Sequence, residues 1–340
     1  GLMGLLLPSS GPGLPHARQA LVLEGGGARG AFEAGALLYL HEHPEVFRAD
    51  AIAGTSVGAL NGAAYAFGRT PELAEVWCRL KNRDVYRNRS FFWMAVNLLA
   101  RHTWTHIYDT TPLYGLLTAV FGDLRMLDCP LQLRIAAFNL QSGQAEIFSN
   151  ESPVKVVDAL MASSALQGLF PPHTLNGFQY IDGGNGANLP LRPALQTGAT
   201  DVVLIRSAGR QRFVPRAYQD VVRIQMRAHL ALLAQVTSSD LSRAEELTRL
   251  LAQVRRERAC FQELVESVVS QPEERARLLE GLRTRCGADN GKRTVRLRVI
   301  APPPGALLPS VLEFDPTVSF GLFRMGYHQA QRVLGEVPRV

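Results

Sequence analysis

The 340-residue chain has few of the residues that build disulfide frameworks or metal sites. It contains four cysteines, at positions 78, 129, 260 and 286, which are widely spaced and form no C-x-x-C or Cys/His pattern. That spacing argues against a disulfide framework and a zinc site and predicts a reduced, cytoplasmic protein. No apolar run approaches the ~20 residues that a membrane-spanning helix needs. Neither a resident metal nor a cofactor is expected.

Lysine is also scarce, because Lys81, Lys155 and Lys292 are the only lysines in a chain of net charge +6. The basic residues are therefore nearly all arginines, and they are scattered rather than interleaved with aromatics as in a nucleic-acid recognition module. Nucleic acid is not an expected partner. An anionic membrane surface suits this charge better, although a solvated arginine-rich surface explains most of it.

The first 18 residues form no convincing targeting segment. Gly1 to Leu7 is apolar but short, has no preceding basic region and runs into a Pro- and Gly-rich stretch. We expect a disordered leader at 1–18. The remaining 19–340 has enough apolar sequence for one large core, which predicts a single domain with insertions.

The stretch Gly54-Thr55-Ser56-Val57-Gly58 joins a short buried strand to a helix with a small-residue face. Glycines on both sides allow a tight turn that places Ser56 Oγ at the head of the helix, as in a nucleophile elbow. The helix N-terminus favours developing negative charge there. The alternative is a Ser/Gly turn without chemistry.

A second glycine-rich turn runs from Gly25 to Gly30, between the strand at 20–24 and a helix from Ala31. Free backbone N–H groups at a helix start form an anion site. One candidate anion is a pyrophosphate, because the loop fits G-x-G-x-x-G and Asp50 follows about twenty residues later. The match is weak, since Asp50 opens the second strand instead of closing it. The other candidate is the oxyanion of a tetrahedral acyl intermediate beside Ser56.

A third glycine-flanked group is Asp182-Gly183-Gly184, which follows a short strand at 178–181. A strand-terminal Asp-Gly-Gly is often only a turn. Here it also supplies a carboxylate that could act as the base for Ser56.

Two stretches interrupt this pattern. Residues 84–108 contain an apolar, aromatic segment at 91–100 bracketed by arginines, which indicates either an interfacial helix or lid, or an ordinary core helix. Residues 216–285 are rich in Arg, Glu, Leu and Ala, which predicts a helical insertion solvated on one face.

Together, these three motifs resemble the patatin-like phospholipase family in order and spacing. Supporting matches are Ala-Ser-Ser-Ala at 162–165, Phe-Pro-Pro at 170–172, and a closing strand-proline-helix pattern at 298–302 and 326–327. The resemblance covers roughly 19–208 and the last forty or so residues. Gln167 departs from it, since the family usually has proline there.

The resemblance implies a three-layer α/β/α fold with a central, mostly parallel sheet and an added helical segment. It implies a Ser-Asp dyad, with Ser56 as nucleophile and Asp182 as base. The oxyanion loop would be Gly26, Gly27, Ala28 and Arg29, and the supporting glycines would be Gly25, Gly30, Gly54, Gly58, Gly183 and Gly184. Its substrates would be phospholipids or lysophospholipids, hydrolysed without calcium by a peripheral membrane hydrolase. No D-x-D-x-D-G calcium loop is present.

Two alternatives remain open at this stage. One is a membrane-associated binding or regulatory protein that keeps the fold without turnover. The other is a serine esterase with a Ser56-Asp182-His328 triad, because these residues follow the chain order of α/β-hydrolases. No motif identifies an activating protein partner.

Overall fold

The computed structural model describes residues 18–90, 105–208, 217, 219, 221–285 and 295–335. The apolar segment at 91–100 and the leader up to residue 17 lie outside these ranges. The hypotheses about an interfacial helix and a disordered leader therefore remain predictions.

Ten strands are described, and eight of them form one sheet. The strands are β1 (Gln19–Leu23), β2 (Ala51–Thr55), β3 (Arg87–Asn88), β4 (Tyr108–Asp109), β5 (Gln132–Asn139), β6 (Gln144–Ser149), β7 (His173–Leu175), β8 (Phe178–Asp182), β9 (Asp201–Ile205) and β10 (Arg296–Ile300). In the large sheet the neighbours β10, β9, β1, β2 and β5 are all parallel. Strands β6, β7 and β8 add antiparallel pairings at the β5 end.

Helices connect and cover these strands. They are α1 (Gly30–Glu42), α2 (Val57–Ala66), α3 (Thr70–Arg79), α4 (Asn82–Val85), α5 (Thr111–Phe121), α6 (Val156–Ser163), α7 (Gly184–Ala187), α8 (Leu191–Leu195), α9 (Val221–Val268), α10 (Pro272–Arg285) and α11 (Pro316–Leu334). Right-handed crossovers through helices are the usual way to join parallel strands, which fits the β1-α1-β2 unit.

Alternate residues of the central strands face two separate cores. Leu21 and Leu23 of β1 belong to the larger core, under α1, α2, α3 and α11, whereas Ala20 and Val22 belong to a smaller one that includes Leu191 of α8. Since successive strand side chains point to opposite faces, a parallel strand covered on both sides must be apolar throughout. The result is the expected three-layer α/β/α arrangement.

Several predicted elements are confirmed within a few residues. The β5–β6 hairpin forms around residues 140–143, β9 lies at the predicted 201–205, and the closing helix α11 starts four residues before its predicted start at Phe320. The charged stretch after residue 216 forms the helices α9 and α10. Among the described helices, none combines the length and apolar character needed to cross a membrane.

Candidate active site

Ser56 lies at the turn between β2 and α2, as its motif predicted. Its backbone adopts φ 54° and ψ −126°, a conformation that non-glycine residues rarely take. Such strain persists only where the surroundings fix it, and it is a known feature of nucleophile turns. The turn is held by the Ser56 N–H, which donates to Ser163 Oγ at 2.8 Å. Ser163 in turn donates to the carbonyl of Ala136 at 2.6 Å.

Strand β5 brings Ser56 and Asp182 together. Thr55, the last residue of β2, pairs with Ala136, and Asp182, the last residue of the antiparallel β8, pairs with Ala137. The two strands therefore end at adjacent positions along β5. A side chain at Gly183 would lie 2.1 Å from the Ala136 carbonyl oxygen, so only glycine lets the chain turn away so close to β5.

The Asp182 carboxyl group is almost fully buried, with 3% of the residue exposed. Burial raises its pKa to about 6, while hydrogen bonds from the Ser56 hydroxyl and from the Gly184 N–H, at 2.8 Å, act in the opposite direction. Desolvation penalises the charged form and the hydrogen bonds favour it. A carboxylate with this pKa is ionised at neutral pH and still basic enough to accept a proton.

The glycine loop lies directly beside Ser56. A Cβ on Gly25 would stand 3.3 Å from Ser56 Cβ. Two of the four predicted oxyanion donors are already engaged: the Ala28 N–H donates to the Val311 carbonyl at 2.8 Å and the Arg29 N–H to the Gly26 carbonyl at 3.2 Å. Within the described residues, the N–H groups of Gly26 and Gly27 have no recorded acceptor. The geometry therefore favours Gly26 and Gly27 over Ala28 and Arg29 as donors.

The loop between β10 and α11, which we call the strap (residues 301–315), holds the glycine loop from the outside. Besides the Val311 bond to Ala28, the Pro309 carbonyl accepts from Arg29 Nε at 2.9 Å. Gly27 has φ 57°, and a side chain there would lie 2.1 Å from the Val311 carbonyl oxygen. Arg29 is thus a structural anchor whose guanidinium is directed into the strap, and burial lowers its pKa.

A cavity of about 130 Å³ opens from Ser56 and Asp182 into the larger core. Its polar lining is concentrated in the glycine loop and a few side chains that include Ser56, Ser164 and Asp182. Most of its wall is apolar and comes from α2, α3, α5, α9 and the strap: Leu60, Leu73, Val76, Trp77, Leu113, Leu116, Leu117, Val120, Phe121, Leu230, Leu233, Leu312 and Phe314. A narrow apolar cavity with polar groups at one end fits an acyl chain with its carbonyl at Ser56.

Helix α9 closes part of this cavity, a role that its charged sequence did not reveal. Leu233 would contact a side chain placed on Gly184, at 2.8 Å. Thr237, one turn further along, accepts a hydrogen bond from Asn188 Nδ2 at 3.1 Å. Asn188 is a further polar residue of the site that sequence reasoning missed. Its only signal was its position after Asp182-Gly183-Gly184.

The structure separates two other predicted groups from the site. Asp50 accepts hydrogen bonds from the N–H groups of Arg18 and Gln19 at 2.8 and 3.0 Å, at the start of β1, whereas the glycine loop follows the end of β1. This position does not suit a ribose-binding acid. His328 is exposed on α11 and does not line the cavity, which argues against the triad. In the described ranges, no group of three or more His, Cys, Asp or Glu residues could hold a metal ion.

Comparison with known proteins gives consistent matches. The cGAMP-activated phospholipase of Escherichia coli (strain TW11681) is 29% identical over 193 residues, covering 51% of this chain and 53% of that protein. Lysophospholipase NTE1 of Saccharomyces cerevisiae is 29% identical over 203 residues, covering 59% of this chain and 11% of that protein. The chain therefore spans about half the length of the first relative and a small part of the second.

Solved structures with detectable likeness include VipD from Legionella pneumophila, with a TM-score of 0.44, 14% identity and coverage of 94% of this chain and 67% of that one. Human GIVD cytosolic phospholipase A2 has a TM-score of 0.43 and 11% identity, covering 98% of this chain and 59% of that one. The Patatin-like phospholipase family matches residues 21–195, about half of the chain. This match spans the glycine loop, Ser56 and Asp182, and on that basis the chain belongs to the patatin-like phospholipase family.

Proposed function

We propose that the chain is a serine lipid acyl hydrolase of phospholipase A or lysophospholipase type, working through a Ser56-Asp182 dyad. The observation that carries the proposal is the pairing of a strained, cavity-facing Ser56 with a buried Asp182 whose pKa is raised to about 6. Serine is a poor nucleophile until a nearby base takes its proton. Asp182 contacts the Ser56 hydroxyl and is therefore that base.

In the first step, Ser56 Oγ attacks the ester carbonyl carbon while its proton passes to Asp182. The carbonyl oxygen becomes an anion, which the Gly26 and Gly27 N–H groups stabilise, supported by the positive end of α2. The proton on Asp182 then goes to the leaving alcohol, and the acyl group stays on Ser56. In the second step, water attacks the acyl-enzyme with Asp182 again as base, releasing the fatty acid.

The substrate class follows from the cavity and the relatives. The apolar wall fits a hydrocarbon chain, and each buried methylene contributes about 0.8 kcal/mol. The matched relatives are named phospholipase and lysophospholipase, which favours a phospholipid ester over a small soluble one. Peripheral contact with the membrane remains part of the proposal, and the segment at 91–100 remains its predicted site.

The test is labelling with a fluorophosphonate probe together with mass spectrometry of products from mixed phospholipid vesicles. The wild type is expected to be labelled at Ser56 and to release fatty acid and lysophospholipid, or fatty acid and glycerophosphodiester. Ser56→Ala should abolish both signals. Ser239→Ala, an exposed serine of α9, is the matched control and should change neither. Persistent labelling of Ser56→Ala would refute the assignment, and an unreactive wild type would favour the binding-protein alternative.

A further inference from the structure

Asn188 is fixed from two sides at the wall of the cavity. It follows α7 directly and is buried, with 3% of the residue exposed. Its backbone carbonyl accepts from the Gly25 N–H at 3.1 Å, and its Nδ2 donates to Thr237 Oγ1 at 3.1 Å. The side-chain amide is thereby held in place, and its Oδ1 is directed away from Thr237.

Asn188 Oδ1 is buried and has no hydrogen-bond partner among the described residues. It lies close to both members of the dyad. Oδ1 is 2.7 Å from the point where a Cβ on Gly25 would stand, and Ser56 Cβ is 3.3 Å from the same point. Likewise, Oδ1 and Asp182 Oδ1 are each 3.0 Å from the corresponding point on Gly184. Leaving a buried acceptor unpaired is unfavourable, so a donor is expected to bind it during the reaction.

The chemistry of the site identifies the donor. Amide Oδ1 and an ionised Asp182 only accept hydrogen bonds, and an ester group has no donor of its own. The Ser56 hydroxyl donates to Asp182 and is lost on acylation, and the Ser164 hydroxyl has no partner among the described residues, Asn188 included. Water carries two O–H groups and can donate one to each of these oxygens. On the basis of the proposed function, we infer that Asn188 is a further catalytic residue, which holds the water that hydrolyses the acyl-enzyme.

One O–H of the water donates to Asp182 and the other to Asn188 Oδ1, which directs an oxygen lone pair at the acyl carbon. The C–O bond to water forms as Asp182 takes the proton, and the carbonyl oxygen becomes the anion held by the glycine loop. When the intermediate collapses, the bond to Ser56 Oγ breaks, and the proton returns from Asp182 to Ser56. The fatty acid leaves, and Asn188 is unchanged.

Competition between water and methanol for the acyl-enzyme tests this role. Methanol has a single O–H, which it can donate to Asp182 but not to Asn188 as well. With p-nitrophenyl butyrate in methanol-containing buffer, Asn188→Ala should therefore lower the ratio of butyric acid to methyl butyrate. The expected fall is about tenfold, the value of one hydrogen bond in the transition state. The ratio is a property of the acyl-enzyme alone, so partial unfolding does not change it.

Three further variants define the outcome. Asn188→Leu fills the side-chain volume without an acceptor and should lower the ratio as Asn188→Ala does, whereas Asn188→Asp keeps an acceptor and should restore much of it. Thr70→Val removes a buried hydroxyl that has no partner among the described residues and does not line the cavity, and it should leave the ratio unchanged. A wild-type ratio in Asn188→Ala or Asn188→Leu overturns the inference. A fall in the acylation rate as large as the fall in the ratio also overturns it. An unlabelled wild-type Ser56 would instead mean that the proposed function has failed.

Discussion

The body of the molecule (residues 18–208) and the helical arm (α9 and α10, residues 221–285) are stabilised in different ways. The body is covered on both faces of its sheet, and many of its large apolar side chains are fully buried, among them Phe32, Phe47 and Met126. Within the described part of the arm only Leu233, Thr237 and Val265 are buried, and its exposed large apolar residues are Ile224, Leu232, Leu250, Phe261, Leu264, Val268 and Leu278. The arm meets the cavity and the smaller core through one stretch, residues 230–241. The body therefore supplies the proposed dyad, and the arm supplies a cover for it.

The largest expected effect is the loss of the base in the body. Asp182→Asn removes the group proposed to accept the Ser56 proton, and general-base catalysis is typically worth ~10²–10⁴ in rate. We expect kcat on a soluble ester to fall by about that factor. Circular dichroism should show an unchanged fold. A loss of less than about tenfold would mean that another group deprotonates Ser56.

Asp182→Asn should raise the stability of the fold at pH 8, although it lowers kcat. Because burial raises the folded-state pKa of Asp182 above its usual 3.8 to about 6, its contribution to stability is complete below pH 4 and is lost as pH rises through 6. At pH 8, Asp182→Asn should therefore be more stable than the wild type, by up to about 3 kcal/mol. Urea unfolding at pH 4 and pH 8 measures this difference, and a gain at pH 4 alone would contradict it.

The pH dependence of kcat/KM tests whether the helical arm covers Asp182. Asp182 must be ionised to act, so kcat/KM should rise about tenfold per pH unit up to about pH 6 and then level off. Leu233→Ala opens the arm's contact beside Gly184 and lets water approach Asp182, so the midpoint should move downward. Leu40→Ala, a fully buried residue of α1 that does not line the cavity, should leave the midpoint unchanged. Identical midpoints in all three proteins would show that the arm does not shield the dyad.

The two leucine substitutions should affect stability differently: Leu40→Ala should lower the free energy of unfolding more than Leu233→Ala does. Leu40→Ala removes core packing. It should lower the global free energy of unfolding by about 2–5 kcal/mol, the usual range for buried leucines. Leu233→Ala should cost less than about 1 kcal/mol, because the arm can open locally before the body unfolds. Urea unfolding gives the first quantity, and hydrogen exchange in 221–268 the second. A large global loss from Leu233→Ala would make the arm part of the body's core.

The smallest expected effect is that of the exposed histidine on α11. His328→Ala should change kcat and KM by less than about twofold, because His328 does not line the cavity. Steady-state kinetics on the ester used for Asp182→Asn make the two results comparable. A loss similar to that of Asp182→Asn would restore the triad hypothesis.

The parts of the site that the sequence predicted are those built by local chain geometry. A strand, a tight glycine turn and a helix around Ser56 are specified by adjacent residues, and so is the glycine loop. Which N–H groups of that loop are engaged is not fully specified locally, because the Ala28 N–H donates to Val311 in the distant strap. Asn188 was missed for the same reason: its contacts with Gly25 and Thr237 join three separate parts of the chain. The antiparallel pairing of β8 with β5, which aligns Asp182 with Ser56, is likewise a non-local choice.

The strap also has a consequence for protein synthesis. Ser56 and Asp182 leave the ribosome long before Val311, whose carbonyl fixes the glycine loop through Ala28. A nascent chain therefore carries Ser56 and Asp182 without the anchored loop, and under the proposed function it would become fully active only after the strap has been translated and has docked. Ribosome-bound chains stalled before and after Val311 should differ in their rate of reaction with a fluorophosphonate. Under the proposed function, this order of assembly would keep unfinished copies from hydrolysing membrane lipids.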